Sequence, residues 1–130
     1  MTIERISFLN AISSKIIGAA IEVHKELGVG LLESIYEERL VIELKSMGLK
    51  VRRQVDIPIL YKEQTIDKHL RIDLLVEDEI IVELKSVSEM KEVFESQLVT
   101  YLKLTGKNLG LLINFNVPLL KDGIYRKING

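Results

Sequence analysis

The chain has 130 residues, 47% of them hydrophobic and 28% charged, with a formal net charge of −1 and no cysteine. That length suits one domain with one core, and the missing cysteines exclude disulfides, thiolate-bound zinc and a cysteine nucleophile. The near-neutral charge advertises no broad basic surface for nucleic acid, although an acidic metal site becomes less negative once its cation binds.

The apolar runs read as short of a membrane span and the N-terminus lacks a signal-peptide layout. A cytoplasmic location with no membrane partner is therefore expected. Leu9, Ile12, Ile16, Ala19, Val23 and Leu27 recur at helical spacing, predicting a helix from about Ile6 to Leu27. Gly28 and Gly30 punctuate the chain. A second helix is predicted from about Leu31 to Met47, with the stripe Leu32, Tyr36, Leu40, Leu44 and Met47, ending at Gly48. Val51–Tyr61 alternates like a strand, and Pro58 within it indicates an edge or a bulge. Ile66–Val76 and Ile80–Val87 complete a meander. Helical periodicity returns from about Ser88 to Leu104, and Gly106 stops it. Leu109–Phe115 is nearly continuous apolar sequence, as in a strand covered on both faces. Ile124–Ile128 reads as a last short strand. The order α-α-β-β-β-α-β predicts an α/β domain over residues 1–130, a mixed central sheet flanked by helices.

Three charged residues interrupt the two greasy strands of the meander: Asp73, Glu83 and Lys85. Glu83 and Lys85 are two apart, so they share a strand face. On a solvent face they would form a simple ion pair. Their neighbours Ile80, Ile81, Val82, Leu84 and Val87 instead indicate that both faces are covered. Buried charges are normally paired or bound to metal. Two carboxylates side by side repel unless a proton or cation intervenes, and Mg²⁺ or Mn²⁺ suits such oxygen ligands. Asp73 must share the face of Glu83 for this to work. A two-residue turn at Glu77-Asp78 would separate them, whereas a three-residue turn at Glu77-Asp78-Glu79 pairs them, so an odd-length turn or a bulge is expected.

Other candidates lie on helices. Glu33 is expected on the core-facing side of the second helix, either as a site acid or as a first-turn acid favoured by the helix dipole. Gln97 projects among Met90, Val93, Phe94, Leu98, Tyr101 and Leu104, and a buried amide there needs partners. Tyr101, four residues on, shares its face. His24 is either an outer ligand or a structural histidine, while His69 reads as surface.

The segment Gly30-Leu31-Leu32-Glu33-Ser34-Ile35-Tyr36 fits the pattern G-x-x-E-x-x-Y. With IIGAAIEVHKELGVGLLESIYEERL, RIDLLVEDEIIVELKSV and QLVTYLKLTGKNLGLLINF in that order, the chain resembles the GxxExxY proteins. These look like a compact branch of the PD-(D/E)XK nuclease superfamily. The resemblance implies a restriction-endonuclease-like core and a Mg²⁺- or Mn²⁺-dependent nuclease acting on nucleic acid, DNA first. It implies that Glu33 is the helical acid, Asp73 the central metal-binding acid, and Glu83 with Lys85 the E-x-K element. The Leu84 backbone carbonyl would complete the metal ligands. Gln97 and Tyr101 resemble a Q-x-x-x-Y motif that orients the site or contacts substrate. Tyr36 and His24 are secondary candidates. Ile72 stands where the superfamily name has proline. Every charged member of the signature is present, which argues against an inactive copy. Two rival readings remain: a silent module binding nucleic acid or a protein partner, and a buried structural network. A homodimer would cut both strands of a duplex more easily.

Overall fold

Thr2 starts the first helix by accepting the Arg5 backbone N–H on its hydroxyl. This helix, α1 (Ile3–Leu27), ends where Gly28 turns left-handed at φ +73. The computed structural model describes residues 1–130. It continues with α2 (Glu33–Ser46), β1 (Val51–Tyr61), β2 (Gln64–Val76), β3 (Ile80–Lys85), α3 (Glu92–Thr105), β4 (Leu109–Asn114) and β5 (Ile124–Ile128). The sheet order follows the chain, β1-β2-β3-β4-β5. Every pairing is antiparallel except β3 with β4, which is parallel and bridged by α3. The expected mixed α/β sheet is thus present, with a short 3₁₀ turn at Leu120–Gly123 that the sequence pattern did not signal.

Helices cover both faces. Leu9, Ile16, Tyr36, Leu40 and Leu44 of α1 and α2 pack with Leu74, Val82, Leu84 and Leu111 of the sheet. Leu98, Tyr101 and Leu102 of α3 pack with Ile72, Leu75, Ile81 and Leu112 on the other side. Leu84, Leu111 and Leu112 are accordingly fully buried, as both-face cover requires. By length and composition α1 could cross a membrane, with a window of mean hydropathy 1.4. Its face Leu9-Ile12-Ile16-Ala19-Val23 is instead committed to the core.

The expected stripes need trimming at their ends. Leu32 and Met47 are exposed, because they cap α2 and lie outside its turns. Val93 and Leu104 are likewise exposed at the two ends of α3. Pro58 sits in the edge strand β1, and the register with β2 shifts between Pro58 and Ile59, matching both expectations from the proline.

One close approach secures the strand beside the site. Buried Asn114 at the end of β4 accepts the Val87 N–H at 3.1 Å and donates to the Val87 carbonyl at 3.0 Å. This fixes the chain just beyond Lys85. A Cβ on Gly123 would lie 2.2 Å from the Asn114 carbonyl oxygen. Gly123→Ala is therefore expected to cost about 1–3 kcal/mol and lower Tm by several degrees in a thermal melt.

Candidate metal and phosphodiester site

The hairpin between β2 and β3 decides whether the charges meet. Leu74 pairs with Val82, Leu75 with Ile81 and Val76 with Ile80, leaving the three-residue loop Glu77-Asp78-Glu79. Glu77 and Asp78 adopt φ +53 and +56, and the Glu79 N–H returns to the Val76 carbonyl at 3.0 Å. The odd-length turn is present, and the pairing runs as far as Leu74–Val82, the pair next to Asp73 and Glu83. The Leu84 N–H donates to Asp73 Oδ2 at 2.8 Å.

β2 also loses its alternation at Asp73. Leu74 and Val76 face α1 and α2, while Ile72 and Leu75 both face α3. Residues three apart on a regular strand face opposite ways. The slip lies opposite Gln54 of β1, whose φ is +49 and which the β1–β2 ladder skips between Arg53 and Val55. Asp73 is thereby turned toward β3 and reaches its backbone.

Glu83 is 7% exposed, and its Oε1 is buried without any hydrogen-bond partner. Burial pushes its carboxyl up to about 9; the Asp73 charge and a side-chain hydrogen bond with Asp73 add to the rise, and Lys85 opposes it. Tyr101, 6% exposed on α3, is also raised, first by burial and then by the charges of Glu83 and Asp73, while the Gln97 side chain pulls it back. Its hydroxyl therefore feels both acids. Lys85 is half-buried, with its Nζ 4.5 Å from the Phe94 ring centroid, and makes no salt bridge.

Of the other candidates, Glu33 and Gln97 are placed differently from expectation. Glu33 is exposed at the first position of α2 and does not meet the core. It lines a cleft with Ser34, Glu37, Gln54, Asp73 and Leu84, so it does share a space with Asp73. Gln97 is exposed: the buried face of α3 runs through Leu98, Tyr101 and Leu102, one step round the helix. Tyr36 is wholly buried, stacks on Phe115 at 4.4 Å, and donates its hydroxyl to the Gly28 carbonyl at 2.6 Å. It pins the turn before Glu33 and does not line the cleft. His24 Nε2 meets the Val117 carbonyl at 2.8 Å, a structural contact.

Sequence reading missed Glu37. It is buried, takes Arg53 Nη2 and Nε on Oε2 at 2.9 and 3.2 Å, and takes Gln54 Nε2 on Oε1 at 2.6 Å. The available signal was its spacing, three before Leu40 and seven before Leu44 on the apolar stripe.

The donor set fits a hard divalent cation. The lone Glu83 Oε1 beside the Asp73 carboxylate is what such an ion satisfies. No group of three or more His, Cys, Asp or Glu side chains converges on one point. Protein ligands would thus be few, with water filling the remaining positions of a divalent cation.

No match to the chain was found among curated proteins or solved structures. The family model of the PD-(D/E)XK nuclease superfamily matches residues 10–127, a span that encloses Glu33, Asp73, Glu83, Lys85 and Tyr101. The five-stranded mixed sheet beneath those residues is consistent with a restriction-endonuclease-like fold. By that match and that sheet, the chain belongs to the PD-(D/E)XK nuclease superfamily.

Proposed function

We propose that this protein is a Mg²⁺- or Mn²⁺-dependent nuclease that hydrolyses phosphodiester bonds of DNA. The observation that carries the reading is the buried, unpartnered Glu83 Oε1 set against Asp73. Asp73 and Glu83 would hold the cation together with the Leu84 carbonyl, and Glu33 at the cleft mouth would reach it through water. The bound cation supplies an activated water and neutralises phosphate charge. Lys85 lies on the same strand face as Glu83, where its ammonium would position the water and offset phosphate charge or, as the neutral amine, would take up the water's proton. Tyr101 orients the acids, and Gln97, exposed beside it on α3, would meet the nucleic-acid backbone. The Gly30…Glu33…Tyr36 pattern supports membership of the GxxExxY branch, since Tyr36 fixes the turn from which Glu33 projects. A cytoplasmic homodimer would present two such sites to a duplex.

The test is cleavage of single- and double-stranded DNA and RNA in Mn²⁺, Mg²⁺ and EDTA. Cutting with metal and none in EDTA is expected, with DNA preferred. No cutting of any substrate with either metal overturns the reading. The placement of Lys85 against Phe94 also favours a second reading, a nuclease-fold module that binds without turnover. Nucleic-acid binding that persists in EDTA and in Lys85→Ala, without cleavage, would select it.

A further inference from the structure

Gln54 is the strained residue nearest the acids. It sits in β1 at φ +49, a left-handed conformation that L side chains other than asparagine and aspartate rarely adopt. Its place in the register is opposite Asp73, between the pairs Arg53–Leu74 and Val55–Ile72. It lines the cleft together with Asp73 and Leu84. Such strain persists only where surrounding contacts impose it. Here the contact is buried Glu37, which takes the Gln54 amide at 2.6 Å on one oxygen and Arg53 on the other. Two successive β1 residues are thus hung from a single carboxylate of α2. The alternation of β2 slips at the residue facing this knot.

We infer that Gln54, held left-handed by Glu37, is a positioning residue that turns Asp73 out of the regular pleat and onto the Leu84 amide. Its consequence for cation binding rests on the nuclease reading above; the aiming of Asp73 does not. A straight β1 would restore alternation in β2 and point Asp73 squarely at α3. The aspartate would then leave the cleft that it shares with Glu33.

The test exploits two opposite preferences. As strand formers the order is valine, alanine, glycine; as left-handed residues it is the reverse. Gln54→Gly, Gln54→Ala and Gln54→Val are compared in EDTA by hydrogen exchange of the Leu84 amide, whose acceptor is Asp73 Oδ2. Exchange is expected near the wild-type rate in Gln54→Gly and roughly tenfold or more faster in Gln54→Val, with Gln54→Ala between. Core amides of β4 should stay protected in all three, which separates local re-aiming from global loosening. Mn²⁺ calorimetry on the same proteins should follow that order, with Gln54→Val weaker by about 10- to 100-fold. Equal Leu84 exchange in all variants, or the slowest exchange in Gln54→Val, overturns the inference. If the exchange order holds while the wild type binds no Mn²⁺, the positioning role stands and the nuclease reading falls.

Discussion

Asp73→Asn is expected to give a folded protein whose metal-dependent cleavage falls by about three orders of magnitude. The carboxamide oxygen can still accept the Leu84 N–H that Asp73 Oδ2 accepts now. The substitution also removes the Asp73 charge, and with it the Coulombic contribution that helps raise Glu83. Tm in EDTA should therefore hold steady or rise, while the stabilisation by Mn²⁺ disappears. A buried structural network predicts the reverse, a large drop in Tm and no response to Mn²⁺ in the wild type. Melts in EDTA and Mn²⁺ beside a cleavage assay decide between them. Lys85→Met should behave differently again, keeping Mn²⁺ affinity while losing about 10²-fold or more in rate. Loss of metal binding in that variant would mean that Lys85 acts on the fold of the site and not on the reaction.

Glu83→Gln is expected to make the metal-free protein more stable at pH 8 by several kcal/mol. The Glu83 carboxyl titrates near 4.5 unfolded and about 9 folded. Below 4.5 both states hold the proton and the group costs nothing. Between 4.5 and about 9 the folded state keeps a proton that the unfolded state releases, so stability falls as pH rises, by up to about 1.4 kcal/mol per unit. The substitution removes that slope. Wild type and variant should thus melt alike near pH 4.5 and diverge by tens of degrees at most toward pH 8. Cation binding must expel the proton, so Mn²⁺ affinity of the wild type should climb by up to about tenfold per pH unit below 9. Parallel pH profiles for the two proteins would show that Glu83 is ionised in the metal-free fold.

Local pattern made most of the frame legible. The alternation of Val51–Tyr61 gives β1 at its observed bounds. The requirement that Asp73 and Glu83 meet specified an odd-length turn, which the register supplies. What escaped the sequence depends on distant partners. Glu37 looks like any helical glutamate until β1 brings Arg53 and Gln54 onto it. Nothing in the intrinsic preferences of glutamine marks position 54 as left-handed; that conformation is imposed from α2. Gln97 fell on the wrong side because the buried stripe of α3 is set by docking on β4, where a Cβ at Gly110 would lie 2.7 Å from the Leu98 side chain. Helical periodicity finds an apolar face, but the neighbouring sheet sets its centre.

The single parallel pairing has a kinetic consequence. β3 pairs with β4 through the crossover that carries α3. The β2–β3 hairpin closes over just three residues. Hairpins of this kind form in about 1–10 μs, whereas non-local pairing waits on a larger loss of chain entropy. A hairpin that closes first brings Asp73 and Glu83 near each other before the rest of the fold covers Glu83. At neutral pH the early hairpin carries the repulsion of two ionised carboxylates with no core yet to compensate. Protonation or a divalent cation would relieve it at that stage, so both should accelerate refolding, and the order of assembly makes this acidic pair a gate on the folding pathway.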